Sequence, residues 1–219
     1  MTDYALARRN MIDGQLRPNR VNNAGLLAAI GELPRERFLP DGLSSVAYAD
    51  EDVPLGSGRF LMEPMVLARL IQILQPKLRD RALVVASGRG YGAALLAQLV
   101  TAVVAVESDE ALATAAERTW NELGVTNAAQ WIGKLELGAA TSGPYDIILI
   151  EGAVRQIPKT ILDQLDEGGR LAAVVAGPEG AMGVAELVVK EGGVTSSRPI
   201  FDAGTPVLPG FAPPPRFTF

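Results

Sequence analysis

Residues 83–98 read LVVASGRGYGAALLAQ, and the reading of this stretch decides the fold. The run 83–86 is apolar without alternation, as a strand buried on both faces requires, and an apolar helix follows the glycine-rich turn Ser87-Gly88-Arg89-Gly90-Tyr91-Gly92. Glycines at such a turn let the backbone approach a ligand, and the helix N-terminus offers unpaired N–H groups. Moving outward, the runs 103–106, 147–150 and 171–176 are again continuously apolar. Helical segments separate them: DEALATAAERTW, capped by Ser108, and KTILDQLDE, stopped by Gly168-Gly169. Strand and helix in alternation predict an α/β fold with a doubly wound parallel sheet. Residues 184–190 and 194–200, split by Gly192-Gly193, read as a closing antiparallel hairpin.

Upstream, residues 1–79 read as helical and irregular. Asn22 or Asn23 caps a helix with Leu26, Leu27, Ile30 and Leu33 on one face, ended by Pro34, and a further helix starts at Pro64. Leu55-Gly56-Ser57-Gly58 between them reads as a loop. The proline-rich end, Pro206 to Phe219, is expected to pack across the body as an extended tail. The 219 residues, 48% apolar, make one domain over 1–219: a helical and loop segment at 1–79, a Rossmann-like core at 80–177, and a hairpin and tail at 178–219.

The chain has no cysteine and no histidine, which excludes disulfides, thiol nucleophiles and Ser-His or Cys-His catalysis, and argues against a zinc or other metal site. A net charge of -5 argues against nucleic acid as a partner. No apolar stretch reaches the roughly 18 residues of a membrane span, and MTDYALARRN has no apolar signal region behind its basic residues, so no membrane association and a cytoplasmic location are expected.

The second strand ends at Glu107, about 20 residues beyond the turn, where a carboxylate can accept hydrogen bonds from both hydroxyls of a ribose. Ala86, Ser87, Gly88, Gly90 and Glu107 are therefore candidate residues for a nucleoside cofactor. The plain alternative is a glycine turn beside a surface Glu. A methyl-donor site fits better than a nicotinamide or ATP site, because neither a full G-x-G-x-x-G nor a P-loop GK[ST] is present.

Beyond these residues the chain resembles the protein-L-isoaspartate O-methyltransferase family over nearly its whole length. MIDGQLRPNRV, LPRERFLP, AYADEDVPLGSG and EPMVLARL match that family's N-terminal pattern; VVASGRGYGAALLAQL, VVAVE, PYDIILIEGA and ILDQLDEGGRL follow in its order and spacing. The resemblance weakens after about Gly177, and PVLPGFAPPPRFTF is not the usual family ending. It implies a mostly parallel seven-stranded Rossmann-like sheet with an N-terminal helical segment, S-adenosylmethionine as cofactor, and methyl transfer to a carboxylate of a damaged aspartyl residue in a protein or peptide, a repair reaction.

Departures from the family pattern concentrate at the implied site. Where the family has G-Q-T-I-S-Q-P, with hydroxyl residues bordering the reaction centre, this chain has Gly58-Arg59-Phe60-Leu61-Met62-Glu63-Pro64, so Phe60, Leu61 and Met62 become the candidate lining of the substrate cleft. In the cofactor turn an acid is replaced by Val84 and the first glycine by Ala86. The family's G-D-G, whose Asp faces the adenine, appears as Gly133-Lys134-Leu135. Loss of hydrogen bonds at Val84 and Lys134, at roughly 1.5–3 kcal/mol each, weakens cofactor binding about a hundredfold to ten-thousandfold. If the first glycine position needs φ > 0, Ala86 adds roughly 1–2 kcal/mol. No catalytic residue is identified. The leading expectation is a divergent methyltransferase of doubtful isoaspartyl activity; a non-catalytic binding protein on the same fold, or a methyltransferase for another carboxylate or hydroxyl, are the alternatives.

Overall fold

A computed structural model describes residues 3–178 and 181–211. The chain opens with α1 (Tyr4–Met11), whose last turn widens into a π-helical stretch over Ile12–Leu16. Helix α2 (Ala24–Glu32) is capped by Asn23, whose side chain accepts from Leu26 N at 2.9 Å. Strands β1 (Val53–Gly56) and β2 (Arg59–Leu61) pair antiparallel, so the stretch expected as a loop is the tip of a small hairpin. Its tip holds three consecutive positive φ angles, at Gly56, Ser57 and Gly58. Helix α3 (Pro64–Leu74) follows, with Pro at its first position and Val66, Leu67, Leu70, Ile71 and Leu74 buried.

The alternating region is β3 (Arg81–Val85), α4 (Tyr91–Ala97), β4 (Ala102–Glu107), α5 (Glu110–Leu123), β5 (Ala128–Ile132), β6 (Tyr145–Val154), α6 (Lys159–Leu162), β7 (Leu165–Val175), β8 (Gly183–Glu191) and β9 (Val194–Ala203). One seven-stranded sheet runs β5-β4-β3-β6-β7-β8-β9. Pairs among β3 to β7 are parallel, while β7–β8 and β8–β9 are antiparallel. The strand-helix pattern and the hairpin expected at Gly192-Gly193 are thus both present. Period-2 alternation explains why the central runs are apolar throughout. Ala82, Val84, Ile147 and Leu149 join the core under α3 and α4, whereas Leu83, Val85, Ile148 and Ile150 join a second core with Ile161, Leu208 and Phe211 on the opposite face.

Three boundaries differ from the sequence reading. Asp109 caps α5, accepting from Ala111 N and Leu112 N, while the Ser108 hydroxyl is taken by Arg59 Nη2 at 2.8 Å. The helix expected over KTILDQLDE stops at Leu162, and β7 begins at Leu165, ahead of Gly168-Gly169. Gln164 causes the break: its buried amide bonds Ala139 N and the carbonyls of Leu137 and Thr160, and Tyr145 N donates to its backbone carbonyl. Strand β5 went unread because it is an edge strand with a half-exposed, mixed pattern.

Candidate functional site

Strand order reverses around β3, so the crevice at the C-terminal ends of β3, β4 and β6 is where an open α/β sheet binds ligands. The turn after β3 lies there. Ala86 has φ +62, Gly88 +54 and Gly90 +84, left-handed residues at alternate positions that bring the backbone round from strand to helix. Ala86 therefore carries the steric penalty that glycine would avoid, of about 1–2 kcal/mol. Ser87 N closes onto Val106 O, and Gly90 N onto Ser87 O.

The turn is covered from both sides. A methyl group on Gly88 would lie 2.8 Å from Leu55 Cδ1 of β1, and one on Gly90 would lie 2.6 Å from the Trp120 ring of α5. Trp120 Nε1 also donates to Gly90 O at 2.9 Å. Ser87, Gly88 and Gly90 are all buried.

Glu107 ends β4 with its side chain fully enclosed, 0% exposed. Arg59 of β2, itself 3% exposed, meets it as a fork: Nε to Oε2 at 3.1 Å and Nη2 to Oε1 at 2.9 Å. Gly88 N donates to Oε2, and Ser108 N and Asp109 N donate to Oε1. With the Ser108 hydroxyl at 3.5 Å from Oε1, six donors meet this carboxylate and use its accepting directions. Arg59 Nη1 adds a bond to Ser57 O, and the Ser57 hydroxyl bonds the Asp109 carboxylate, which helps hold that carboxyl below its ordinary pKa. The hairpin β1–β2 is thereby fastened over the turn.

A second buried acid sits within β6, just past the apolar run 147–150. The parallel register to β7 slips between Leu149 and Ala153, and Glu151 lies in that irregularity, 3% exposed. Its Oε1 has no hydrogen-bond partner, and it lies so close over Gly92 of α4 that any side chain there would collide with it. Burial pushes the Glu151 carboxyl up to about 8; Arg35 opposes the rise and Glu107 adds to it. Arg35, fully enclosed, bonds Ala47 O and Met62 O at 2.6 Å each and lies over the Tyr91 ring at 5.0 Å. Burial pulls its guanidinium below the ordinary value.

Of the residues expected to line a substrate cleft, Leu61 and Met62 are buried in the core beneath β2 and only Phe60 is partly exposed. Met62 is 0% exposed. Lys134 is exposed and starts a short 3-10 turn, while Gly133 N bonds Glu107 O. Val84 lies in the core under α3 and α4. Residues 206–211 cross the end of β6: Ala153 N donates to Pro206 O, Leu208 N to Ala153 O, and Leu208 fills the space over Gly152. Pro209 presses on Gly58 at the hairpin tip. The rest of the proline-rich tail, 212–219, lies outside the described residues.

The sequence reading missed Arg59 as the partner of Glu107, and it missed Glu151. Both carried a signal: a single charge set in an apolar run, Arg59 before Phe60-Leu61-Met62 and Glu151 after Ile147–Ile150. In the arrangement described, both oxygens of Glu107 are engaged and the turn after β3 is covered by Leu55 and Trp120. Among the described residues no cluster of metal-ligating side chains occurs, and no helix is long and apolar enough to cross a membrane.

Comparisons with known proteins agree with the fold. The model of the protein-L-isoaspartate(D-aspartate) O-methyltransferase family matches residues 7–199. A protein-L-isoaspartate O-methyltransferase of Methanoculleus marisnigri is 36% identical over 187 residues, covering 85% of this chain and 84% of that protein. One from Herpetosiphon aurantiacus is 37% identical over 168 residues, covering 77% and 75%. A solved protein-L-isoaspartate O-methyltransferase superposes with a TM-score of 0.80 at 24% identity, over 93% of this chain and 66% of that one. A Plasmodium falciparum structure of that description, in complex with S-adenosyl-L-homocysteine, gives 0.76 at 18% identity, over 95% and 99%. At those identities the two structures bear on the fold alone. Their fold and the sequence matches along most of the chain agree: this protein belongs to the protein-L-isoaspartate(D-aspartate) O-methyltransferase family.

Proposed function

We propose that this chain is an S-adenosylmethionine-dependent methyltransferase by descent that holds the cofactor weakly and does not methylate isoaspartyl peptides at the rate of its relatives. The observation that carries the reading is Glu107, buried at 0% exposure with both oxygens engaged by Arg59 and three backbone N–H groups. A ribose must displace a buried charge-assisted fork to reach it. Val84 offers no carboxylate to the turn, Ala86 strains it, and Lys134 stands where the family pattern has an acid. On the substrate side, Met62 is buried with its carbonyl tied to Arg35. A carboxylate entering beside Phe60 would lose water without gaining the hydroxyl partners of the family loop, and unpaired burial of a charge is strongly unfavourable.

The test is transfer of labelled methyl from S-adenosylmethionine to an isoaspartyl peptide, by wild type and by a variant combining Phe60→Thr and Met62→Ser. No turnover above background is expected for wild type; turnover at the rate of an ordinary relative overturns the reading. A second reading, a non-catalytic member that uses the fold to bind a protein or small-molecule partner, is favoured by the enclosure of Glu107, whose oxygens are already engaged within the chain. It requires no affinity for the cofactor at cellular concentrations, whereas the first requires some.

A further inference from the structure

We infer that Arg59 is a gating residue and the β1–β2 hairpin a lid: the guanidinium occupies the carboxylate that a vicinal ribose diol would use, so a nucleoside binds only when Arg59 leaves. The inference rests on reading Glu107 as the ribose acid. Three independent contacts give the lid its closed position. Arg59 forks onto Glu107 and reaches Ser108 Oγ at 2.8 Å; the Ser57 hydroxyl bonds the Asp109 carboxylate; and Leu55 covers Gly88. A fourth element clamps the tip from outside, because Pro209 lies against Gly58 where any side chain would collide.

The hairpin is a separate element, rooted in the core at Val53 and Leu61, while its tip at 56–58 is exposed. β1 and β2 form a two-stranded sheet of their own, separate from the seven-stranded sheet. Its tip turns through Gly56 and Gly58, whose positive φ angles carry no Cβ strain. Glu107, in contrast, is fixed by β4 and by the backbone N–H groups of Gly88, Ser108 and Asp109, which stay in place when Arg59 departs. Opening therefore exposes a carboxylate already oriented toward the crevice.

Calorimetric titration of the full chain with S-adenosylhomocysteine tests the gate. Arg59→Gln is expected to bind at least tenfold more tightly than wild type, and the gain should hold for adenosine but vanish for 2′-deoxyadenosine, which lacks the diol. In Arg59→Ala, millimolar guanidinium ion is expected to compete with S-adenosylhomocysteine by refilling the same position. Arg59→Gln binding no more tightly than a weakly binding wild type overturns the gate and leaves the low-affinity reading standing. A sub-micromolar wild-type Kd overturns the low-affinity reading instead. Should both variants fail to fold, amide exchange of wild type at saturating S-adenosylhomocysteine decides the point: residues 53–61 are expected to exchange faster with ligand, and unchanged protection overturns the gate.

Discussion

Replacing Glu151 by Gln should change how stability depends on pH. The carboxyl is buried, its Oε1 lacks a partner, and its pKa is pushed from an ordinary 4.5 to about 8. Between those values the folded protein keeps a proton that the unfolded chain has released. Stability from this group is therefore fully present below about 4.5 and is lost as pH rises through about 8. The slope in that window is about 1.4 kcal/mol per pH unit, giving an upper limit of about 5 kcal/mol across it. Gln matches the protonated acid in shape and does not titrate. Glu63, pushed up to about 6 by burial with Asp50 and Asp52 nearby, contributes a slope of the same sign but is present in both proteins and cancels in the difference. Urea unfolding at pH 5, 6, 7 and 8 measures that difference. Glu151→Gln should be close to wild type at pH 5 and more stable by about 2–5 kcal/mol at pH 8. A wild-type-minus-variant difference that stays constant over this range refutes the burial of a proton-carrying acid within β6.

Two further outcomes follow from the closed turn. Arg59→Met should destabilise by about 3–5 kcal/mol, since it leaves Glu107 buried and unpaired, whereas Arg59→Met with Glu107→Gln should recover much of that loss; additive effects in a double-mutant cycle would contradict the buried fork. Gly90→Ala places a methyl 2.6 Å from the Trp120 ring at φ +84, so strain and overpacking together should remove about 2–5 kcal/mol, read as a fall in Tm, and an unchanged Tm would contradict that packing.

The parallel sheet was legible because β3, β4 and β6 are buried on both faces and so carry unbroken apolar runs. The antiparallel close was legible in Gly192-Gly193, which take φ +60 and +74. Helix α6 was over-read because KTILDQLDE has helical composition, while the stop comes from a long-range contact, the Gln164 amide on the chain around Leu137 and Ala139. The positive φ at Ala86 was foreseeable from the glycine it replaces. The occupancy of Glu107 was not, since Arg59 is 48 positions away and their meeting depends on how the hairpin lies over the sheet. Burial of Leu61 and Met62 has the same origin: Arg35 draws the Met62 carbonyl inward, a contact no local pattern announces.

If this chain keeps the family fold with its nucleoside position closed, wild type must bind the nucleoside product of methyl transfer poorly. Calorimetric titration of the wild-type protein with S-adenosylhomocysteine at neutral pH measures this without needing a substrate. The expected Kd is weaker than about 100 μM, corresponding to less than about 5.5 kcal/mol of binding free energy. A sub-micromolar Kd would contradict the closed position.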